Sequence, residues 1–334
     1  MLRVVVRRLL QMVLTLFVLS VLMFMWLRNL PGGPISAMLG ERATAARRAQ
    51  LEEALGYDQP IWVQYGKWLA RMATGDFGNS TVTGQPISRE LSQAFPGTIE
   101  LSVFALVFAI GLGIPLGYLA ARYRGRLLDS AVVIGTLVGV AVPVFFLGYL
   151  LKEGFAEKLG WFPPSGRANV TVEATHITNF FVLDGLITRE WDAAADAFIH
   201  LILPGIALGT IPLAVIVRIT RASVLDVLNE DYVRTAEAKG LRRQTIRGRH
   251  VLRNALLPVV TAIGLQTGLL LAGAVLTETV FNYRGLGWLL AEGIERRDYP
   301  RLQAIILLSA FVYVLVNLLV DLSYAIIDPR VRVK

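Results

Sequence analysis

Apolar residues in this chain gather into long runs separated by polar stretches of unequal length. A hydrocarbon layer of about 30 Å is crossed by about 20 apolar residues wound as α-helix. Six windows reach that length, at 9–27, 98–121, 131–151, 198–217, 256–280 and 302–327. The pattern predicts an all-α polytopic membrane protein of six transmembrane helices. Polar residues divide the rest into an N-terminal piece with the first span (1–29), a long insert (30–97) and a core of five spans (98–334). That core holds a second insert at 152–197 and a basic segment at 218–254.

Composition agrees with the pattern: 54% of residues are hydrophobic, 17% are charged, and the mean hydropathy is +0.56, well away from soluble averages. Arg3, Arg7 and Arg8 precede the first window, as basic residues precede a secretory signal. Its apolar stretch of about 19 residues exceeds the core of a signal peptide, and only a weak Ser36-Ala37 site follows, so it is expected to stay uncleaved. The chain has no cysteine, which excludes thiolate metal sites, disulfides and Cys nucleophiles.

Charge predicts orientation. With both termini cytoplasmic, the inner segments hold Arg3, Arg7, Arg8, Arg122, Arg124, Arg126, nine Lys or Arg from Arg218 to Arg253, and Arg330, Arg332 and Lys334, which is 18 of the 33 basic residues. The same segments hold six acidic residues, a net of +12, while the outer segments are close to neutral. This is the positive-inside asymmetry. The overall +8 is thereby accounted for by lipid head groups and an acidic docking partner, without nucleic acid.

The basic segment holds the densest information. From Glu230 to Pro258 it reads EDYVRTAEAKGLRRQTIRGRHVLRNALLP. A helix-prone run, 231–239, opens on an acidic N-cap candidate and stops at Gly240, and a second helix-prone run is expected to end at Pro258. That arrangement resembles the cytoplasmic coupling loop of binding-protein-dependent ABC importer permeases, whose signature is Glu-Ala-Ala, three residues, Gly, nine residues, then Ile-x-Leu-Pro. Arg234, Thr235 and Ala236 fall on the Glu-Ala-Ala positions, and His250, Val251, Leu252 and Arg253 on the Ile-x-Leu-Pro positions. The small residues, the Gly and Leu252 fit; the leading Glu, the Ile and the Pro do not. The departures are patterned, since YVRTAxAKGL followed by RHxLRNALLP is similar to the dipeptide/oligopeptide/nickel branch of that family. LPGGPISAMLG, LGYDQPIWVQYGKWL with GDFGNS, and TETVFNYRGLG leading through RDYP to NLLVDLSYAIIDPRVR agree with the same branch. NYRGLG in place of the usual Trp-Pro before Gly-Leu-Gly, Gly33 at a commonly acidic site and the insert 173–192 depart from it.

The resemblance implies the type I ABC importer permease (MetI-like) fold, with an extracytoplasmic cap at 30–97, and a B-type subunit of a peptide importer in a bacterial or archaeal cytoplasmic membrane. It implies as partners a second homologous permease, two ATPase subunits or one two-domain ATPase chain, an extracytoplasmic peptide-binding protein and membrane lipids. ATP and Mg would be bound by the ATPases and no cofactor by this chain, which carries no Gly-x-x-x-x-Gly-Lys phosphate loop. The implied ATPase-coupling residues are Asp231, Tyr232, Val233, Arg234, Thr235, Ala236, Glu237, Ala238, Lys239, Gly240 and Leu241. Nickel or another small cargo occurs in the same branch and stands as the alternative to peptide.

Other features carry readings of their own. Gly113 with Gly117, Gly135 with Gly139, Gly205 with Gly209 and Gly264 with Gly268 each place two glycines on one helix face, where a second backbone can approach closely. Pro115, Pro143, Pro204 and Pro212 interrupt helical ladders, as functional kinks or tolerated ones. Within the spans Glu100 and Asp321 are the clearest ionisable residues, with a functional role and a partner across a helix interface both open. The insert 30–97 reads as a small folded cap, with a charged helix-prone run at 43–55 and an aromatic-studded one at 61–72. The insert 152–197 could receive a binding protein or simply cover helix ends. An ion-coupled transporter would want more intramembrane acids and often two related halves, and an intramembrane protease would want GxSxG with a histidine or HExxH; neither pattern occurs.

Overall fold

The computed structural model describes residues 2–29, 44, 46, 50 and 58–327. Almost all of the run 43–55, the PGGP turn and the C-terminal Arg330, Arg332 and Lys334 lie outside the described residues. Those described are all-helical, apart from one isolated bridge between Asn79 and Pro86. Two compact units divide the chain, one of residues 1–97 with 284–334 and one of 98–283. The sequence-based division, which keeps 98–334 together, does not foresee this grouping of the last helix with the first.

In the first unit, α1 (Leu2–Arg28) packs along the last helix, α11 (Tyr299–Ile327), and α2 (Ile61–Ala73) lies on α1. An aromatic cluster seats α2: Tyr65 and Trp68 meet Phe24 at 5.2 and 5.5 Å, and the Tyr65 hydroxyl is 2.8 Å from that of Ser20. Ile87 and Leu91, in the first turns of α3 (Ile87–Arg122), pack with Leu286 and Leu289 of α10 (Leu286–Glu295) and with Ile305. A buried guanidinium ties the unit together. Arg301 donates to Glu90 at 2.8 and 2.9 Å and to Glu292 at 3.0 Å, and Asp298 beside it accepts from Ser80 and Thr81. One cation thus holds three carboxylates, and Arg301 is only 1% exposed.

In the second unit, α3 continues to Arg122, followed by α4 (Leu127–Ala141), α5 (Val144–Leu151), a π-helical extension to Lys158, α6 (Phe181–Thr188) and α7 (Trp191–Leu228). After α8 (Asp231–Ala238) come a turn at Arg243–Thr245, a π-helical segment Ile246–Leu252 and α9 (Arg253–Val280). Helices α3, α7 and α9 share two apolar cores, one around Leu101, Ala207 and Leu270, the other around Ala109, Ile216 and Val259.

Four described helices, α1, α3, α7 and α11, are long and apolar enough to cross a membrane, or six if each of two bent pairs is one crossing. The expected count of six therefore rests on those pairs. The window at 131–151 is not one straight helix: α4 and α5 meet at 103°. The cause is local. Pro143 has no N–H to give and pushes Val142 into extended backbone, ψ 124°, which ends α4. Pro115, Pro204 and Pro212, by contrast, lie within continuous helices. Pro258 does not end the second run of the basic segment either; α9 passes through it. α7 also outruns its window at both ends, so the stretch from Arg218 to Leu228 is helix rather than loop.

Candidate functional site

α8 is where the basic segment becomes a surface. Glu230 occupies the N-cap position in extended backbone, without a side-chain cap bond, and Asp231 adds an acid in the first turn, where the helix dipole favours it. Val233 and Ala236, three apart and so on one face, are 1% and 4% exposed. They pack with Val224 of α7, Ala121 at the end of α3, and Ile246, Val251 and Ala255. The helix stops as glycine chemistry dictates: Gly240 has φ +71°, its N–H donates to Glu237 O at 2.9 Å, and that of Leu241 to Ala236 O at 3.3 Å. This pair of bonds is the Schellman closure, which requires a left-handed residue. The opposite face is solvent-exposed: Tyr232, Arg234, Thr235, Glu237, Ala238, Lys239 and Leu241, continuing into Arg242 and Arg243. Asn254 donates to the Tyr232 hydroxyl at 3.1 Å and holds that ring against the start of α9. The result is an amphipathic helix, seated on the bundle by its apolar side and offering a mixed basic and apolar side outward.

The glycine pairs are divided unequally. Gly113 and Gly117 of α3 lie against Ile216, Val217 and Thr220, while Gly205 and Gly209 of α7 lie against Phe104, Ala105 and Phe108. A Cβ at any of the four would sit 2.1–2.8 Å from those neighbours, so α3 and α7 approach as only glycine allows. Gly139 meets Thr210, but no atom lies within 4 Å of a Cβ at Gly135. Gly264 and Gly268 are buried.

Glu100 has a partner. Arg167, in the insert, donates to it at 3.1 Å, and the Val182 N–H donates to its other oxygen at 2.9 Å. The guanidinium lies 3.8 Å from the centroid of Phe181, whose ring stacks on His176. Glu100 is therefore the anchor of the 152–197 segment on α3. Asp321 is helical, and its side chain is outside the described residues. The acids of 152–197 shape the segment itself: Asp184 accepts backbone N–H bonds from Ile177, Thr178 and Asn179, and Asp196 accepts one from Asn169. Glu190 accepts both donors of Thr175, and the backbone N–H of that residue holds its carboxyl below the usual range. Burial pushes the Tyr283 phenol well up.

Two polar ties escape a sequence reading. Glu278 is 0% exposed and accepts from Thr98 at 2.7 Å; it lies two residues from the end of its window, where hydropathy does not flag it. Asp129 and Arg221 form a two-pronged pair at 2.7 and 2.9 Å. They are 92 residues apart, and only the surplus of arginines around Asp129 hints at such a pairing.

Helices of membrane-crossing length, and an amphipathic helix seated by its apolar side on α3, α7 and the segment Ile246–Leu252, define the class, a polytopic membrane protein. More particularly, the chain belongs to the family of binding-protein-dependent transport system inner membrane components, which it matches over residues 113–333, with the N-terminal region of such components matched over 1–102. It is 44% identical over 332 residues to the dipeptide transport system permease protein of Alkalihalophilus pseudofirmus, covering 99% of this chain and all of that one. To the dipeptide transport system permease protein of Escherichia coli it is 45% identical over 338 residues, the full length of both. To the di/tripeptide transport system permease protein of Pseudomonas aeruginosa it is 44% identical over 333 residues, 99% of each chain.

Proposed function

We infer that this chain is one permease subunit of an ATP-driven importer of di- and oligopeptides, and that it couples to the ATPases through Asp231–Leu241. The observation that carries the coupling assignment is α8 itself: two buried apolar residues seat it, a left-handed Gly240 closes it, and its charged face is turned outward. Peptide as cargo is supported by full-length similarity to dipeptide and di/tripeptide permeases.

In this reading hydrolysis belongs to separate ATPase subunits, which bind Mg and ATP, and a second permease completes the pathway. An extracytoplasmic binding protein delivers the peptide at the face carrying 30–97 and 152–197, with both termini cytoplasmic. Closure of the ATPases moves α8, and the apolar contacts of Val233 and Ala236 with Val224 and Ala255 pass that motion to α7 and α9. The test is reconstitution of the complex in vesicles with its binding protein. ATP-dependent accumulation of a labelled dipeptide is expected; accumulation of nickel but not of peptide would overturn the cargo.

A further inference from the structure

Asp129 stands in the first turn of α4 and is 6% exposed. Its two oxygens accept from Nε and Nη2 of Arg221 on α7, at 2.7 and 2.9 Å, and the second also accepts the Gly125 N–H at 2.9 Å. Such a fork is directional as well as strong. One carboxylate thereby joins the α3–α4 turn, the start of α4 and the inner part of α7.

The packing of α4 on α7 gives that join its weight. Above the pair lies a cavity of about 240 Å³ lined by Val132, Gly135 and Thr136 of α4, Thr210 and Leu213 of α7, and Leu116 of α3. Gly139 of α4, which lines the same cavity, comes close to Thr210. Where side chains do not interdigitate, displacement of one helix is poorly transmitted to the other. Arg221 also precedes by one turn Val224, the α7 residue on which α8 is seated, so the same turn of α7 that receives α8 holds the fork.

We propose that Asp129 and Arg221 are positioning residues that pass the displacement of α8 from α7 to α4, and so to the bent α4–α5 arm. The proposal rests on the reading of α8 as the ATPase-docking element. Its test is a double-mutant cycle of Asp129→Asn and Arg221→Gln in the reconstituted complex, read as peptide taken up per ATP hydrolysed. Native uptake is measured first; its absence would overturn the functional reading itself. With native uptake present, each single variant should assemble and lower the ratio about tenfold, a usual size for coupling between sites. The double variant should be no worse than the worse single. Arg221→Lys, which keeps the charge but gives up the fork, covers the case in which a neutral variant does not assemble, and it should lower the ratio as well. An unchanged ratio in the assembled variants, or losses that simply add in the double, would overturn the role of the pair.

Discussion

Gly240 carries a conformation rather than a contact. No heavy atom lies within 4 Å of where its Cβ would be, yet φ is +71°, so the cost of Gly240→Val is backbone strain of about 1 to 2 kcal/mol. That is too little to unfold the bundle and enough to re-aim α8. The variant should insert and assemble, and its complex should hydrolyse ATP without peptide uptake, whereas Gly240→Asn, which tolerates left-handed backbone, should retain uptake. Native uptake by Gly240→Val would remove the residue from the coupling assignment. Arg167 is the opposite case, all contact: its side chain and that of Glu100 are 6% and 9% exposed. Arg167→Ala strands a buried carboxylate and should cost about 3 to 5 kcal/mol, seen as a lower melting temperature that Glu100→Gln in the same chain largely restores. A native melting temperature for Arg167→Ala alone would refute this account. Gly240 was legible in the sequence because its rule is local, a helix-prone run with a glycine just past its end. The partners of Glu100, Asp129, Glu278 and Arg301 were not, because each pairing depends on which helices the fold brings side by side.

At the scale of elements, hydropathy found the membrane-deep part of each long helix and missed its ends. The window 98–121 sits inside α3, Ile87–Arg122, and 198–217 inside α7, Trp191–Leu228. Backbone hydrogen bonding continues a helix into polar sequence until something stops it, and apolar counting does not see that continuation. The aromatic-studded run at 61–72 and the helix at 231–239 came out within a residue as α2 and α8, because both end on local signals. Pro143 shows the limit of such signals: it breaks one ladder, while α7 runs on through Pro204 and Pro212. Topology is predicted at this scale too. The segment after α8 carries Arg242, Arg243, Arg247 and Arg249 and should be cytoplasmic, whereas Val170, 99% exposed in the other insert, should be outside. In a chain without native cysteine, Val170→Cys should react with an impermeant thiol reagent in intact cells and Arg243→Cys only after permeabilisation. The reverse labelling would invert the orientation.

For the whole molecule, the charge on α8 and the apolar faces around it bear on whether one chain suffices. Arg234, Lys239, Arg242 and Arg243 lie exposed within ten residues, a basic density that intramolecular pairs do little to offset, the nearest being Arg234 with Asp231 at 3.6 Å. Exposed ion pairs of this kind contribute at most about 1 kcal/mol, so the face is free to meet an acidic partner. On α4, Ile134, Leu137 and Val138 are each more than half exposed, as lipid or a neighbouring helix would permit. Family membership places the chain in systems that depend on a binding protein, and the proposed role of α8 as the docking element has the force come from outside the chain. The purified chain should therefore insert into vesicles and remain inert towards peptide, with or without a proton gradient. Adding the ATPases alone should give binding at α8 without uptake, and uptake should need the second permease as well. Peptide accumulation by the single chain driven by a proton gradient would reverse this conclusion, because an ion-coupled carrier holds its driving force within its own spans. Loss of ATPase binding on reversing the charge of Arg234 and Lys239, with insertion unchanged, would locate the docking on this face, and unchanged binding would move it elsewhere.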